Sequence, residues 1–342
     1  MSDVTATNLP LDDGAGAALV AALVLALRAH YVFPERADAL AAGLRARLAA
    51  GAYDGAATLG DRCDRLTADL LTLSGDHHLR LFADLRGRRL AGEEAGDDAA
   101  ADAARRRAAA RANHGFARVE CLPGNVGYLD LRGFHDPTAA GPTVAAAIAL
   151  LARTDALIID LRRNGGGHAY LGALLASSLL GPEPVHLTTY HLRAGDVADA
   201  VWTTPDVPGG WYGGGPVYLL VGARTISAAE GFAYDLRALD RATVVGAPTA
   251  GAGRPGDLFR LTAAVAAFIP TGRAVNPRTG TDWDGVGVSP DIAVAEAEAL
   301  ATAYRLALRR FLAALDATGN AADTAQRDEV LAALRDSDEA IS

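Results

Sequence analysis

From Phe116 onward the chain alternates short apolar runs with helical stretches, and no other feature limits its fold as much. FARVECLP, NVGYLDLRGF, ALIIDLR, VHLTTYHLR, PVYLLVG, ATVVG and DLFRLTAAVAAFIP read as strands. Helical stretches separate several of them, around residues 144–151, 170–180 and 228–239. Short apolar strands alternating with helices predict an α/β fold whose sheet has parallel segments.

The first quarter is of another kind. Leu19, Leu23, Val24 and Leu27 fall at helical spacing, and a second helix follows the proline of YVFPERADALAAGLRARLAAG. A third, from Leu59 to Leu73, carries Leu66, Leu70, Leu71 and Leu73. AGEEAGDDAAADAARRRAAARANHG then mixes acidic and arginine blocks with little apolar periodicity, the pattern of a solvated linker or an exposed helix. An amphipathic helix follows over Glu296–Leu315, then a polar tail with one more helix in EVLAALRD. The expected organisation is an N-terminal helical domain over 1–88, a linker over 89–115, an α/β core over 116–316 and a polar tail over 317–342.

Half of the 342 residues are hydrophobic, enough to bury a sizeable core. Acidic residues outnumber basic ones by 41 to 32, a net charge of -9 that argues against nucleic acid or an anionic membrane surface as the main partner. Every basic residue is arginine. A chain without lysine has no lysine general base, Schiff-base lysine or P-loop lysine. The two cysteines, Cys63 and Cys121, are far apart and form no CxxC, so neither a disulfide scaffold nor a zinc cluster is expected. The opening MSDVTATNLPLDDG lacks the basic region of a signal peptide. The apolar run Ala15–Leu27 is shorter than the ~20 residues a membrane helix needs. These features predict a cytoplasmic protein with no membrane insertion.

Two segments have the form of a site. In ALIIDLRRNGGG a buried strand ends in a polar tripeptide and then Gly165, Gly166 and Gly167, just before a helix. Glycines there let the backbone approach a ligand, at the strand ends where α/β sheets place their crevices; a tight strand-to-helix turn has the same composition. In PVYLLVGARTISAAEGFAYDLRAL a buried strand runs through a short turn to Ser227, followed by Ala228, Ala229 and Glu230. Ser-Ala-Ala-Glu is a capping-box pattern. The same geometry also suits a nucleophile, with the Ala228 amide directed at an oxyanion. The turn is not the GxSxG elbow of an ordinary α/β-hydrolase.

A serine without lysine calls for a histidine base. His77 and His78, in LTLSGDHHLRLF beside Asp76, follow a helix, and on an extended chain only one of the two faces a given site. His135 is a weaker candidate, and His186 and His191 fall on opposite faces of one strand. The turn-rich segment PTGRAVNPRTGTDWDGVGVSPDI offers Asp282 and Asp284 around Trp283 as orienting acids, with Asp291 in a structural role. GAGRPG, residues 251–256, matches GxGxxG but precedes a strand-like run and reads as a plain loop. Arg162 and Arg163 beside the glycines suit surface salt bridges better than a substrate carboxylate.

Taken in order, SGDHHLRL, GNVGYLDLRGF, ALIIDLRRNGGG, TISAAEGFAYDL, RATVVGAPTAG and AVNPRTGTDWDGVGVSPDI resemble the tail-specific (C-terminal processing) serine peptidase family, over residues 15–310. The likeness is to the branch that holds interphotoreceptor retinoid-binding protein and the tricorn-like peptidases. It implies a crotonase-like α/β core after a small helical domain, with Ser227 as nucleophile and His78 as base. Asp284, standing where that branch tends to carry a glutamate, would be the third catalytic residue, fixing the His78 tautomer and stabilising the imidazolium. The Ala228 amide and a glycine amide, Gly166 foremost, would form the oxyanion hole, with Gly165 and Gly167 lining the substrate site. The serine–lysine pair of the bacterial processing proteases cannot be built here, and the linker is too short for their PDZ domain.

The expectation is therefore a serine hydrolase cleaving peptide bonds, with no organic cofactor and no metal. Its alternatives are a non-catalytic binder of an apolar retinoid-like or lipid-like molecule, or a biosynthetic enzyme acting on a small molecule.

Overall fold

The computed structural model of the chain describes residues 15–85, 88, 90–92, 99–193, 198–318 and 324–339. Contacts divide the chain into two compact units. The first takes in residues 1–104 together with 190–199 and 254–274, so three separate stretches of sequence build it.

Helices α1 (Ala15–His30), α2 (Pro34–Ala49) and α3 (Leu59–Ser74) occupy the stretches expected from their leucine spacing. Leu19, Leu23, Leu27, Leu40, Leu44, Leu66 and Leu70 are all buried in one cluster. Thr58 caps α3 by accepting the Asp61 amide while the Asp61 carboxylate accepts the Thr58 amide. Gly75 closes the helix at φ 69, a left-handed conformation that favours glycine. Strand β1 (Arg80–Phe82) follows, and pairs antiparallel with a hairpin from far down the chain, β9 (Gly256–Arg260) and β10 (Ala266–Pro270). The sequence DLFRLTAAVAAFIP is thus a hairpin rather than one strand. Thr262 Oγ1 accepts the amides of Ala264 and Val265 and turns the chain between its halves. Val265 and Ile269 enter the leucine cluster from this hairpin.

The second unit holds a six-stranded sheet. Strand β2 (Phe116–Leu122) runs antiparallel to β3 (Val126–Leu131), and β4 (Ala156–Asp160), β7 (Val217–Val221), β8 (Ala242–Gly246) and β12 (Ile292–Ala293) continue it in parallel. The central strands are buried on both faces, which explains their unbroken apolar runs. Tyr128, Ile158, Tyr218 and Leu220 meet Ala299, Ala303, Ala307 and Leu308 of α8 (Ala299–Thr318) on one face. Helices α5 (Pro137–Leu151), α6 (Ala169–Leu180) and α7 (Ala228–Ala238) form the crossovers. Helix α8 starts later than its composition suggests. Glu296 is instead bound in place, its carboxylate accepting the Ala223 amide and its carbonyl the Arg162 guanidinium.

The charged stretch before the sheet contains an exposed helix, α4 (Ala99–Arg111), and the polar tail contains α9 (Thr324–Glu339). A further three-stranded sheet has β5 (His186–Leu192) between β6 (Ala198–Trp202) and β11 (Gly272–Val275). Among the described residues no helix is long and apolar enough to cross a membrane.

Candidate active site

Strand β7 leads into the turn Gly222–Ile226, which is pinned to the end of β4. Thr225 Oγ1 donates to the Leu161 carbonyl at 2.8 Å and accepts the Gly222 amide at 3.1 Å, and the Ile226 amide donates to the Asn164 carbonyl at 3.1 Å. The chain then places Ser227, exposed, at φ 59 and ψ -122 at the head of α7. An ordinary capping serine sits in the β region, whereas a positive φ at a non-glycine residue costs about 1–3 kcal/mol and persists only where the surroundings enforce it.

Here the enforcement comes from Glu230. Its fully buried carboxylate accepts the Ser227 amide at 2.8 Å, the Thr249 hydroxyl at 2.5 Å, the Gly251 amide at 2.6 Å and the Ala252 amide at 2.9 Å. Four donors satisfy a carboxylate that has no access to water. The Ser227 amide is thereby directed inward. Ala228, the first residue of α7, has an amide that by position has no acceptor within the helix.

Gly166 lies directly over this turn at φ 85. A Cβ there would meet the Ile226 carbonyl at 2.6 Å, Ser227 Cβ at 2.8 Å and the Ala228 nitrogen at 3.2 Å, so only glycine fits. Its amide donates to Asn164 Oδ1 at 2.9 Å, and the buried Asn164 in turn donates from Nδ2 to the Leu131 carbonyl at 2.9 Å. Gly167 is also close-packed, against the Phe134 carbonyl, whereas Gly165 is exposed with open space where a side chain would go. Ser227, Ala228 and Gly166 are thus brought together within the second unit. Asp284, in the same unit, accepts the Gly253 amide at 3.0 Å, and Trp283 packs beneath α7 against Gly231. Asp291 accepts the Val244 amide, the structural role expected of it. Arg162 pairs with Asp160, and Arg163 with Asp130.

His78 belongs to the first unit. The left-handed turn at Gly75 delivers Asp76 into a buried position, and the Asp76 Oδ1 accepts both the His78 amide at 3.0 Å and the ring Nδ1 at 2.9 Å. An acceptor-only carboxylate on Nδ1 fixes the tautomer with the proton there and leaves the lone pair on Nε2. The second oxygen, Oδ2, accepts the Tyr31 hydroxyl at 2.9 Å and the Arg254 guanidinium at 2.5 Å. Burial alone would raise the Asp76 pKa, but the bonds from His78 and the charge of Arg254 outweigh it and hold the carboxyl well below the usual range. Burial and the Asp76 charge together push the Tyr31 hydroxyl upward.

In the sequence Asp76 stands out only as a neighbour of the histidines, Glu230 only as part of a cap, and GAGRPG only as a loop. That loop carries the amides that bind Glu230 and the guanidinium that binds Asp76. The Asp-x-His and Ser-x-x-Glu spacings were the available signals.

The model of peptidase family S41 matches residues 125–294, and the model of the N-terminal domain of Peptidase_S41 in eukaryotic IRBP matches residues 13–109. The chain belongs to peptidase family S41. Carboxyl-terminal-processing peptidase 2, chloroplastic, from Arabidopsis thaliana is 28% identical over 181 residues, which is 50% of this chain and 33% of that one. The chain therefore spans about a third of the length of that relative. Among solved structures, a candidate peptidase from Parabacteroides merdae is 18% identical, with a TM-score of 0.56 over 82% of this chain and 90% of its own. A lipoprotein from Streptococcus agalactiae is 13% identical, with a TM-score of 0.53 over 89% of this chain and 99% of its own. At these identities the likeness is one of fold.

Proposed function

We propose that this chain is a serine peptidase with a crotonase-like core, in which Ser227 is the nucleophile and His78 the general base. The observation that carries the reading is the backbone of Ser227, held at φ 59 at a strand-to-helix turn by a buried carboxylate and covered by a glycine. Membership of the S41 family and the likeness to a C-terminal processing peptidase support a peptide as substrate.

In this reading His78 Nε2 takes the Ser227 hydroxyl proton as Oγ attacks the substrate carbonyl. The proton then passes to the leaving amine as the peptide bond breaks, and water attacks the acyl-enzyme with the same histidine as base. The Ala228 amide and the Gly166 amide stabilise the oxyanion. Gly166 serves by turning from Asn164 Oδ1 to the developing charge. Gly165 and Gly167 line the substrate backbone. We assign the orientation of His78 to Asp76, which its ring already contacts, and to Asp284 the support of the loop at Gly253.

The test is labelling with a fluorophosphonate probe. Wild type should label, and Ser227→Ala and His78→Ala should not, while all three remain folded. A folded wild type that does not react would overturn the reading in favour of a binding protein on the same scaffold.

A further inference from the structure

The two oxygens of Asp76 divide their partners without overlap. Oδ1 takes both bonds from His78, and Oδ2 takes the Tyr31 hydroxyl and Arg254. A carboxylate free to rotate about its Cβ–Cγ bond exchanges its oxygens and loses the line to an imidazole; one with its far oxygen tied down does not. Arg254 is itself held, its guanidinium 5.0 Å from the centre of the Phe33 ring and its side chain only 17% exposed. Tyr31 is fully buried and stands edge-on to the same ring. The next residue, Pro255, accepts the amides of Thr271 and Gly272 through its carbonyl and fixes the chain on that side.

We propose that Arg254, assisted by Tyr31, is a positioning residue of the active site. It locks the rotation and the negative charge of Asp76, and through Asp76 the ring orientation and tautomer of His78. The charge matters as well as the geometry. An orienting aspartate must stay ionised so that the proton gained in the reaction remains on the imidazole, and a cation on its outer oxygen ensures this in a site that burial would otherwise neutralise. Neither Arg254 nor Tyr31 touches the substrate in this scheme. The inference rests on His78 being the base of the proposed peptidase, but it can be tested apart from it.

The experiment uses the full chain with ¹⁵N-labelled histidine, comparing wild type, Arg254→Met, Arg254→Lys and Tyr31→Phe. Each is examined by NMR of the His78 ring and by its fluorophosphonate labelling rate. Wild type should show a single tautomer with a slowly exchanging Nδ1 proton. Arg254→Met should mix the tautomers, speed exchange of that proton and slow labelling by about tenfold, equivalent to about 1.4 kcal/mol in barrier. Arg254→Lys, which returns the charge without the planar fork, should restore part of both. Should Arg254→Met fail to fold, Tyr31→Phe removes one hydroxyl without changing shape and should give the same signature in smaller degree. A wild-type ring spectrum in folded Arg254→Met, or in Tyr31→Phe where only that variant folds, would overturn the inference. A folded wild type that never labels, but whose His78 ring responds to Arg254→Met, would overturn the peptidase reading and leave the positioning role standing.

Discussion

The Ser227 amide donates to the Glu230 carboxylate at 2.8 Å, so the residue three places into the helix fixes the backbone of the one at its head. Glu230→Gln replaces an oxygen that accepts hydrogen bonds by an NH2 group facing other donors. It should lower stability by about 1–3 kcal/mol and release the strained turn. Urea denaturation and probe labelling check this together. Full stability and full labelling in Glu230→Gln would show that the carboxylate does not hold the serine.

Asp76 contacts the His78 ring at Nδ1, and in our proposal it is the residue that orients the base. Asp76→Asn presents an amide to Nδ1 and should reverse the tautomer, lowering kcat by about 10³–10⁴-fold, the scale of such a change in serine peptidases. Asp284→Asn alters the acceptor of the Gly253 amide and in the same proposal should cost at most about tenfold. Steady-state kinetics on a peptide substrate decide it, and the reverse ranking would return the role to Asp284.

The glycine loop makes a sharper contrast. Gly166→Ala places a methyl within 2.6 Å of the Ile226 carbonyl and 2.8 Å of Ser227 Cβ, at a left-handed φ of 85. It should abolish labelling and lower the melting temperature. Gly165→Ala meets no atom within 4 Å and should leave both near wild type. Equal effects from the two would contradict the close approach of Gly166 to the nucleophile.

On the buried face of α7, burial pushes the Asp235 carboxyl up to about 7, against the lowering effect of its bonds from Asn276 and Thr188. An unfolded aspartate titrates near pH ~3.9. Between these values the folded chain keeps a proton that the unfolded chain gives up. This group's contribution therefore falls as pH rises, by up to about 1.4 kcal/mol per pH unit. Asp235→Asn mimics the protonated form, so the stability difference between variant and wild type should grow in the variant's favour from about pH 4 to pH 8. Denaturation midpoints measured across that range give the slope, and a constant difference would place the Asp235 pKa in the ordinary range.

What the sequence alone determined lies within short windows. The leucine spacing of α1 to α3, the apolar runs of β4 and β7, the glycines at 165–167 and the serine before α7 each follow from periodicity or backbone freedom. Those depend on residues a few positions apart. The strained backbone of Ser227 was not legible, because Ser-Ala-Ala-Glu describes an ordinary cap equally well. Only the tertiary structure delivers Thr249, Gly251 and Ala252 to the Glu230 carboxylate. It also brings Arg254 to Asp76 across a sequence separation of 178 and Tyr31 across 45. The local code specifies which carboxylates exist and on which turn they stand. Which donors meet a buried carboxylate is decided by the packing of distant segments, since a desolvated charge is tolerated only where the fold has gathered enough hydrogen bonds around it.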